Sequence, residues 1–300
     1  MKHTIKDWII LTRTWGHVLS FMPAVLAIAY AFYRSSTESI TVNWWYGILA
    51  ALAAPILQSG GNLISDYYDY KNNVDRKGTY GSSPMLVDKI FTTKEVFWFG
   101  IICMVVGNLI GLYLLFNTSF HLLWIGLIGV FGSYFYFFFK YKALGDLTIF
   151  VIYGQLISLG TYLVMTNMLS WEILLVAAAP GLLIVNVLHA NNTRDIKNDK
   201  VANIKTMAML MGVKGSIRYY TVLGLGAYLL VLVTVLIGIQ HWLTLIVFLS
   251  FPLLLKAIKQ MQSADIDKLE NIKQMDEASA QLVMVFVMLQ VIGTFAGGLV

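Results

Sequence analysis

Two stretches decide how this chain is read: Asn62-Leu63-Ile64-Ser65-Asp66-Tyr67-Tyr68-Asp69, running on to Asp75, and Asn191-Asn192-Thr193-Arg194-Asp195-Ile196-Lys197-Asn198-Asp199. Each begins inside a long apolar run and ends in a polar loop. On a helix, Asn62, Asp66 and Asp69 stand at i, i+4 and i+7 and share one face. Asn192, Asp195 and Asp199, at i, i+3 and i+7, do the same. Ionisable groups reaching into membrane-depth sequence are costly and usually face a cavity or a pathway. Two such faces in one chain therefore point to a site rather than to solvated helix ends.

Outward from these stretches the composition fixes the class. Of 300 residues, 58% are apolar and 12% charged, about half the ~25% charged residues of soluble domains. Such a chain has too few charges to cover a soluble surface, so the expectation is an all-α, polytopic membrane protein. The net charge of +5 then belongs to loops, and nucleic-acid binding is a poor account of it. The single cysteine, Cys103, forms no internal disulfide and reads as a small buried hydrophobe.

A spanning helix needs ~20 mostly apolar residues. Windows of that kind fall near 15–33, 44–65, 96–116, 122–139, 147–165, 172–190, 219–239, 241–256 and 282–300, about nine spans around a central cavity, with the eighth the shortest. With nine, all 21 Lys and Arg residues except Arg34 fall on one side. The positive-inside rule puts that side, with the N-terminus, in the cytoplasm of an inner membrane and the C-terminus outside. The chain reads as one domain over 1–300, with cytoplasmic capping loops at about 66–95 and 191–218. The first of these carries Gly78, Gly81 and Pro84. The segment 256–280 reads as a solvated helical hairpin without chemistry.

If the second and sixth spans face each other, Asp66, Asp69, Asp195 and Asp199 converge, and their repulsion raises their pKa values unless a divalent cation relieves it. Mg2+ prefers carboxylate oxygens together with substrate phosphates over an all-protein cage. The implied substrate has phosphates and a lipid-soluble part. Nearby cations (Arg194 foremost, with Lys197, Lys140 and Lys142) can stabilise a leaving anion. A cation-coupled transporter would also hold buried carboxylates, but such sites sit near the midplane on broken helices. Here they lie at the cytoplasmic edge beside long loops, which favours an enzyme.

These residues resemble the UbiA superfamily of intramembrane prenyltransferases, whose pattern is Asn-Asp-x-x-Asp and a further Asp, with a second Asp-x-x-x-Asp later. The run Asn191 to Asp199, the gap from Asp69 to Asp75, and Leu144-Gly145-Asp146 are similar to the branch that prenylates 1,4-dihydroxy-2-naphthoate in menaquinone synthesis. The resemblance implies a nine-helix fold and Mg2+-dependent transfer from a polyprenyl diphosphate to an aromatic acceptor, that naphthoate or another such as 4-hydroxybenzoate. It implies metal and catalytic roles for Asp66, Asp69, Asp195 and Asp199. Asn62 and Asn192 would bond phosphates or metal-bound waters, and Asp75 would help at the capping loop. Tyr67, Tyr68 and Tyr70 read either as cation–π contacts to a carbocation or as interfacial tyrosines. His189 and His17 read as packed histidines. Phe131–Phe139 reads as a packed or lipid-facing helix, or a groove for a prenyl tail.

Overall fold

In a bilayer each backbone N–H and C=O must be satisfied within its own segment, so the apolar windows become helices. The computed structural model describes residues 3–77 and 83–300. Its membrane helices are α1 (Thr14–Glu38), α2 (Trp44–Lys71), α3 (Thr93–Asn117), α4 (Leu122–Tyr134), α5 (Gly145–Thr166), α6 (Glu172–Arg194), α7 (Met207–Leu236), α8 (Trp242–Met261) and α9 (Leu269–Gly297). Gly78 and Gly81 lie outside the described residues.

Among the described residues, eight of these helices are long and apolar enough to cross a bilayer, and α4 is not. Its 13 residues rise only about 20 Å, against a ~30 Å hydrocarbon core. The chain breaks at Phe135 and resumes as a short helix, Tyr136–Lys140, so the fourth window is two pieces rather than one uniform span. The eighth window gains its length differently. Trp242–Ser250 is 3-10 helix, which rises ~2.0 Å per residue, and α-helix follows over Phe251–Met261.

The core centres on α6. Its apolar window is 72% buried against 22% for α3, which faces lipid. Around α6 pack α5, α7 and α9, while α2 pairs with α3 and α1 closes onto α9. Small residues let α5 and α6 touch: a Cβ on Gly154 would stand 2.8 Å from the Gly181 Cα, the close approach that drives helix association in lipid. At the end of α6 remote from the aspartates, Tyr30 donates to Glu172 at 2.9 Å. Arg34 pairs there with Glu38 and Glu172, tying α1 to α6.

The opposite end is covered by what the sequence presents as loops. An N-terminal helix, Ile5–Leu11, starts at a Thr4–Asp7 capping box, and Trp8 packs its ring on Phe91 and Phe99. Leu11, Leu63, Met85, Leu86 and Phe91 form a small second core there. The segment 191–218 is mostly helical: Ile196–Val201 is a short helix, and α7 begins at Met207 with a break at Gly212, whose φ is +64°. The segment 256–280 is not simply solvated, because Leu269, Ile272 and Met275 are buried.

Candidate active site

The two aspartate faces line one cavity of about 360 Å³ at this end of the bundle, together with Asn62, Asp75 and Asn192. Local backbone chemistry brings them there. At the end of α2 the Asp69 carbonyl accepts from the N–H groups of Val74 at 2.8 Å and Asp75 at 3.2 Å. This folds the chain back and sets Asp75 beside Asp69. Asp75 in turn accepts from the Ser83 N–H at 2.9 Å, which fastens the capping segment. On the other side α6 ends at Asp195, so the second motif is not one continuous helix. The Asp199 N–H still donates to the Asp195 carbonyl at 2.8 Å, and that bond carries the acidic face around the corner. Arg76, just past the first motif, donates to the Asn198 carbonyl at 3.5 Å and so joins the two motifs. The Lys205 N–H donates at 3.1 Å to the carbonyl of Tyr141, the residue whose hydroxyl bonds Asp69.

Basic groups stand directly against the carboxylates. Arg13 donates to Asp66 at 2.8 Å from a left-handed backbone with φ 50°, a conformation that costs an L-residue ~1–2 kcal/mol. Lys140 reaches Asp69 at 3.2 Å, and the Tyr141 hydroxyl donates to the same carboxylate. Arg194 is buried and bidentate on Asp195, at 3.1 and 2.9 Å, and also bonds Asp276 at 3.3 Å. Its guanidinium thus braces the second motif rather than standing open to an anion. Burial, then the neighbouring Asp195 and Asp69 charges, push the Asp199 carboxyl up to about 7 against the pull of Lys140. Burial also raises Asp75 and Asp195.

Three expected site residues lie outside this cavity. Lys142 is exposed, with its ammonium 4.2 Å from the Phe138 ring centroid, while Lys140, two residues earlier, points in. Lys197 is 56% exposed and pairs with Asp267 at 3.6 Å; it sits on the short helix that starts after the break at Asp195. Tyr67, one residue past Asp66, turns toward α3 and packs on Phe97. Arg13 and Asp276 were not singled out by the sequence, since both read as loop charges. Their signal is their proximity to the motifs in the fold, which no local spacing encodes. Behind the second motif, His189 bonds Asp146 at 2.8 Å with both side chains buried. His17 bonds Ser59 at 2.8 Å.

Chemically, the cavity is an oxygen-rich pocket with cations around it. Two buried acceptor oxygens, Asp66 Oδ2 on one motif and Asn191 Oδ1 on the other, have no hydrogen-bond donor among the described residues. Hard divalent cations take such oxygens. Among the described residues no three acidic or imidazole groups form a ready cage; Mg2+ generally takes one or two carboxylates and completes its shell with waters and phosphate.

Adjoining the polar cavity is a second, apolar one of about 270 Å³ between α2, α3, α4 and α5. Ala54, Leu57, Gly126 and Val130 are among its walls. The phenylalanines of Phe131–Phe139 lie elsewhere: Phe131 and Phe138 are exposed.

Comparison with known proteins agrees with this architecture. The sequence matches the model of the UbiA prenyltransferase family over residues 13–275. UbiA prenyltransferase domain-containing protein 1 of Xenopus tropicalis is 29% identical over 275 residues, covering 89% of this chain and 77% of that protein. Its counterpart in Mus musculus is 32% identical over 235 residues, covering 76% and 68%. Among solved structures, the apo UbiA homolog of Aeropyrum pernix K1 superposes with a TM-score of 0.70 at 13% identity, covering 92% of this chain and 97% of that one. The UbiA homolog of Archaeoglobus fulgidus bound to DMAPP and Mg2+ does so at 0.65 and 14%, covering 95% and 99%. These relatives are not described as naphthoate prenyltransferases, so they carry the family and leave the branch to other evidence.

Proposed function

This chain belongs to the UbiA prenyltransferase family, and from that premise we propose that it transfers a polyprenyl group from a polyprenyl diphosphate to 1,4-dihydroxy-2-naphthoate, releasing CO2 and diphosphate and giving the hydroquinone demethylmenaquinol. The observation that carries the reading is the junction of a carboxylate-lined polar cavity with an apolar groove inside the helix bundle. That pairing suits an amphiphile with a charged head and a hydrocarbon tail. The naphthoate rests on the Asn191–Asp199 run and the Asp69–Asp75 gap.

Asp66, Asp69, Asp195 and Asp199 would hold Mg2+, and Asn62 and Asn192 would bond phosphate oxygens or metal-bound water. When bound, Mg2+ neutralises the diphosphate and stabilises it as a leaving group. Lys140 and Arg13, resident on Asp69 and Asp66, meet the departing phosphate charge. Arg194 holds Asp195 in place through its bidentate pair. Asp75 pins the capping segment through Ser83, keeping water from the allylic carbon. The apolar groove takes the prenyl chain and fixes its first carbon at the boundary between the two cavities.

The test is purified protein given one polyprenyl diphosphate and a panel of aromatic acceptors, with diphosphate release and product mass followed. Mg2+-dependent release with a prenylated, decarboxylated naphthoate is expected. Product formed only from 4-hydroxybenzoate would replace the acceptor, and full turnover by Asp66→Ala or Asp195→Ala would remove the roles given to the carboxylates.

A further inference from the structure

The two cavities adjoin at a shared boundary, the neck, where among the described residues four side chains line both: Gln58, Ser133, Ile152 and Tyr153. Only Tyr153 offers a π face. Gln58 is already committed, since its Oε1 accepts from Ser20 at 2.5 Å and its Nε2 donates to the Gly16 carbonyl at 3.0 Å. Tyr153 comes to the neck on a π-helical turn, Phe150–Leu156, a rare conformation that recurs at functional sites. The next residue, Gly154, sits against the Gly181 backbone, which fixes the register of the turn and with it the position of the ring.

We propose that Tyr153 is a catalytic residue, its ring facing the allylic C1 and stabilising the positive charge that develops there. The inference rests on the prenyl-transfer reading, because diphosphate among the carboxylates and a chain in the apolar groove leave C1 at the neck. The C1–O bond breaks heterolytically and its electron pair leaves with the diphosphate oxygen. A ring carbon of the acceptor then supplies the pair for the new C–C bond. The group it displaces departs without its bonding pair, as CO2 from a carboxylate or as a proton taken by the diphosphate. Between these events the side chains that line both cavities beside the cationic carbon are an isoleucine, a serine, a committed glutamine and one tyrosine ring, while Tyr136 lines the polar cavity alone. A desolvated cation over an aromatic face is stabilised enough to be worth about 10- to 30-fold in rate.

The experiment uses the full-length protein with Mg2+, geranyl diphosphate and the naphthoate, comparing kcat and the donor KM. Tyr153→Phe and Tyr153→Trp should stay within about threefold of wild type, while Tyr153→Leu loses about 10- to 30-fold in kcat with donor KM changed less than about threefold. Phenylalanines with one, two and three ring fluorines at position 153 keep the shape and weaken the π face. Their log kcat should fall stepwise, and this series decides the matter even if Tyr153→Leu fails to fold. A flat fluorine series, wild-type kcat in Tyr153→Leu, or a loss in Tyr153→Phe as deep as in Tyr153→Leu would overturn the assignment. Wild-type protein that releases no diphosphate with any acceptor would instead overturn the prenyl-transfer reading, and this role with it.

Discussion

Lys140 and Lys142 differ by two positions and occupy different worlds: one is inside the cavity on Asp69, the other on the surface over Phe138. Lys140→Ala should therefore cost about 10²–10³ in kcat, the scale for removing one donor to a developing anion. Lys142→Ala should leave kcat close to wild type, and steady-state kinetics on the pair check this. The acids were legible in the sequence because a carboxylate in an apolar run stands out. Arg13 and Lys140 were harder to assign, since any base at this boundary also fits the positive-inside pattern, and Arg13 meets Asp66 across 53 residues of chain. Protonation follows from the same geometry. Asp199, raised to about 7 by burial first and then by Asp195 and Asp69, binds more protons folded than unfolded. Its contribution to stability is present at acid pH and is lost as pH rises through about 7. Because metal binding needs the ionised form, the gain in Tm on adding Mg2+ should be larger at pH 8 than at pH 6, as thermal unfolding at the two pH values would measure.

At the scale of the element, hydropathy located the membrane helices but not their internal departures from α-helix. No periodicity distinguishes the π turn of α5 or the 3-10 half of α8 from ordinary apolar helix. Both arise from packing against neighbours, not from local propensity. The break at Phe135 was hidden likewise, since Phe131–Phe139 is apolar throughout. The contact of Gly154 on Gly181 gives this scale its prediction. Gly154→Val places side-chain atoms where the α6 backbone already stands, and overpacking of that kind costs about 1–3 kcal/mol. The variant should unfold at lower temperature in detergent. It should also lose turnover, because the adjoining π turn carries Tyr153; a variant with wild-type Tm and activity would contradict the packing account.

For the molecule as a whole, the decisive arrangement is the pairing of two helix ends some 130 residues apart in sequence. Spacing within each motif was readable, whereas their meeting depended on α2 and α6 belonging to one bundle, which emerges only from the full fold. Charge asymmetry adds an orientation: the carboxylate end, with nearly all Lys and Arg, should face the cytoplasm. After Cys103→Ala, single cysteines at Lys142 and Asn117 should react oppositely with an impermeant maleimide. Lys142→Cys should label from the cytoplasmic side and Asn117→Cys from the other; the reverse pattern would invert the topology.

The claim beneath all of this is that both aspartate faces serve one Mg2+–diphosphate unit. Its most direct measurement is the Mg2+-dependent binding of geranyl thiodiphosphate to wild type, Asp66→Asn and Asp199→Asn, with circular dichroism confirming that each is folded. Loss of binding when either face alone is changed is the predicted result. Wild-type affinity in one of the two variants would show that its face takes no part, and would contradict the account.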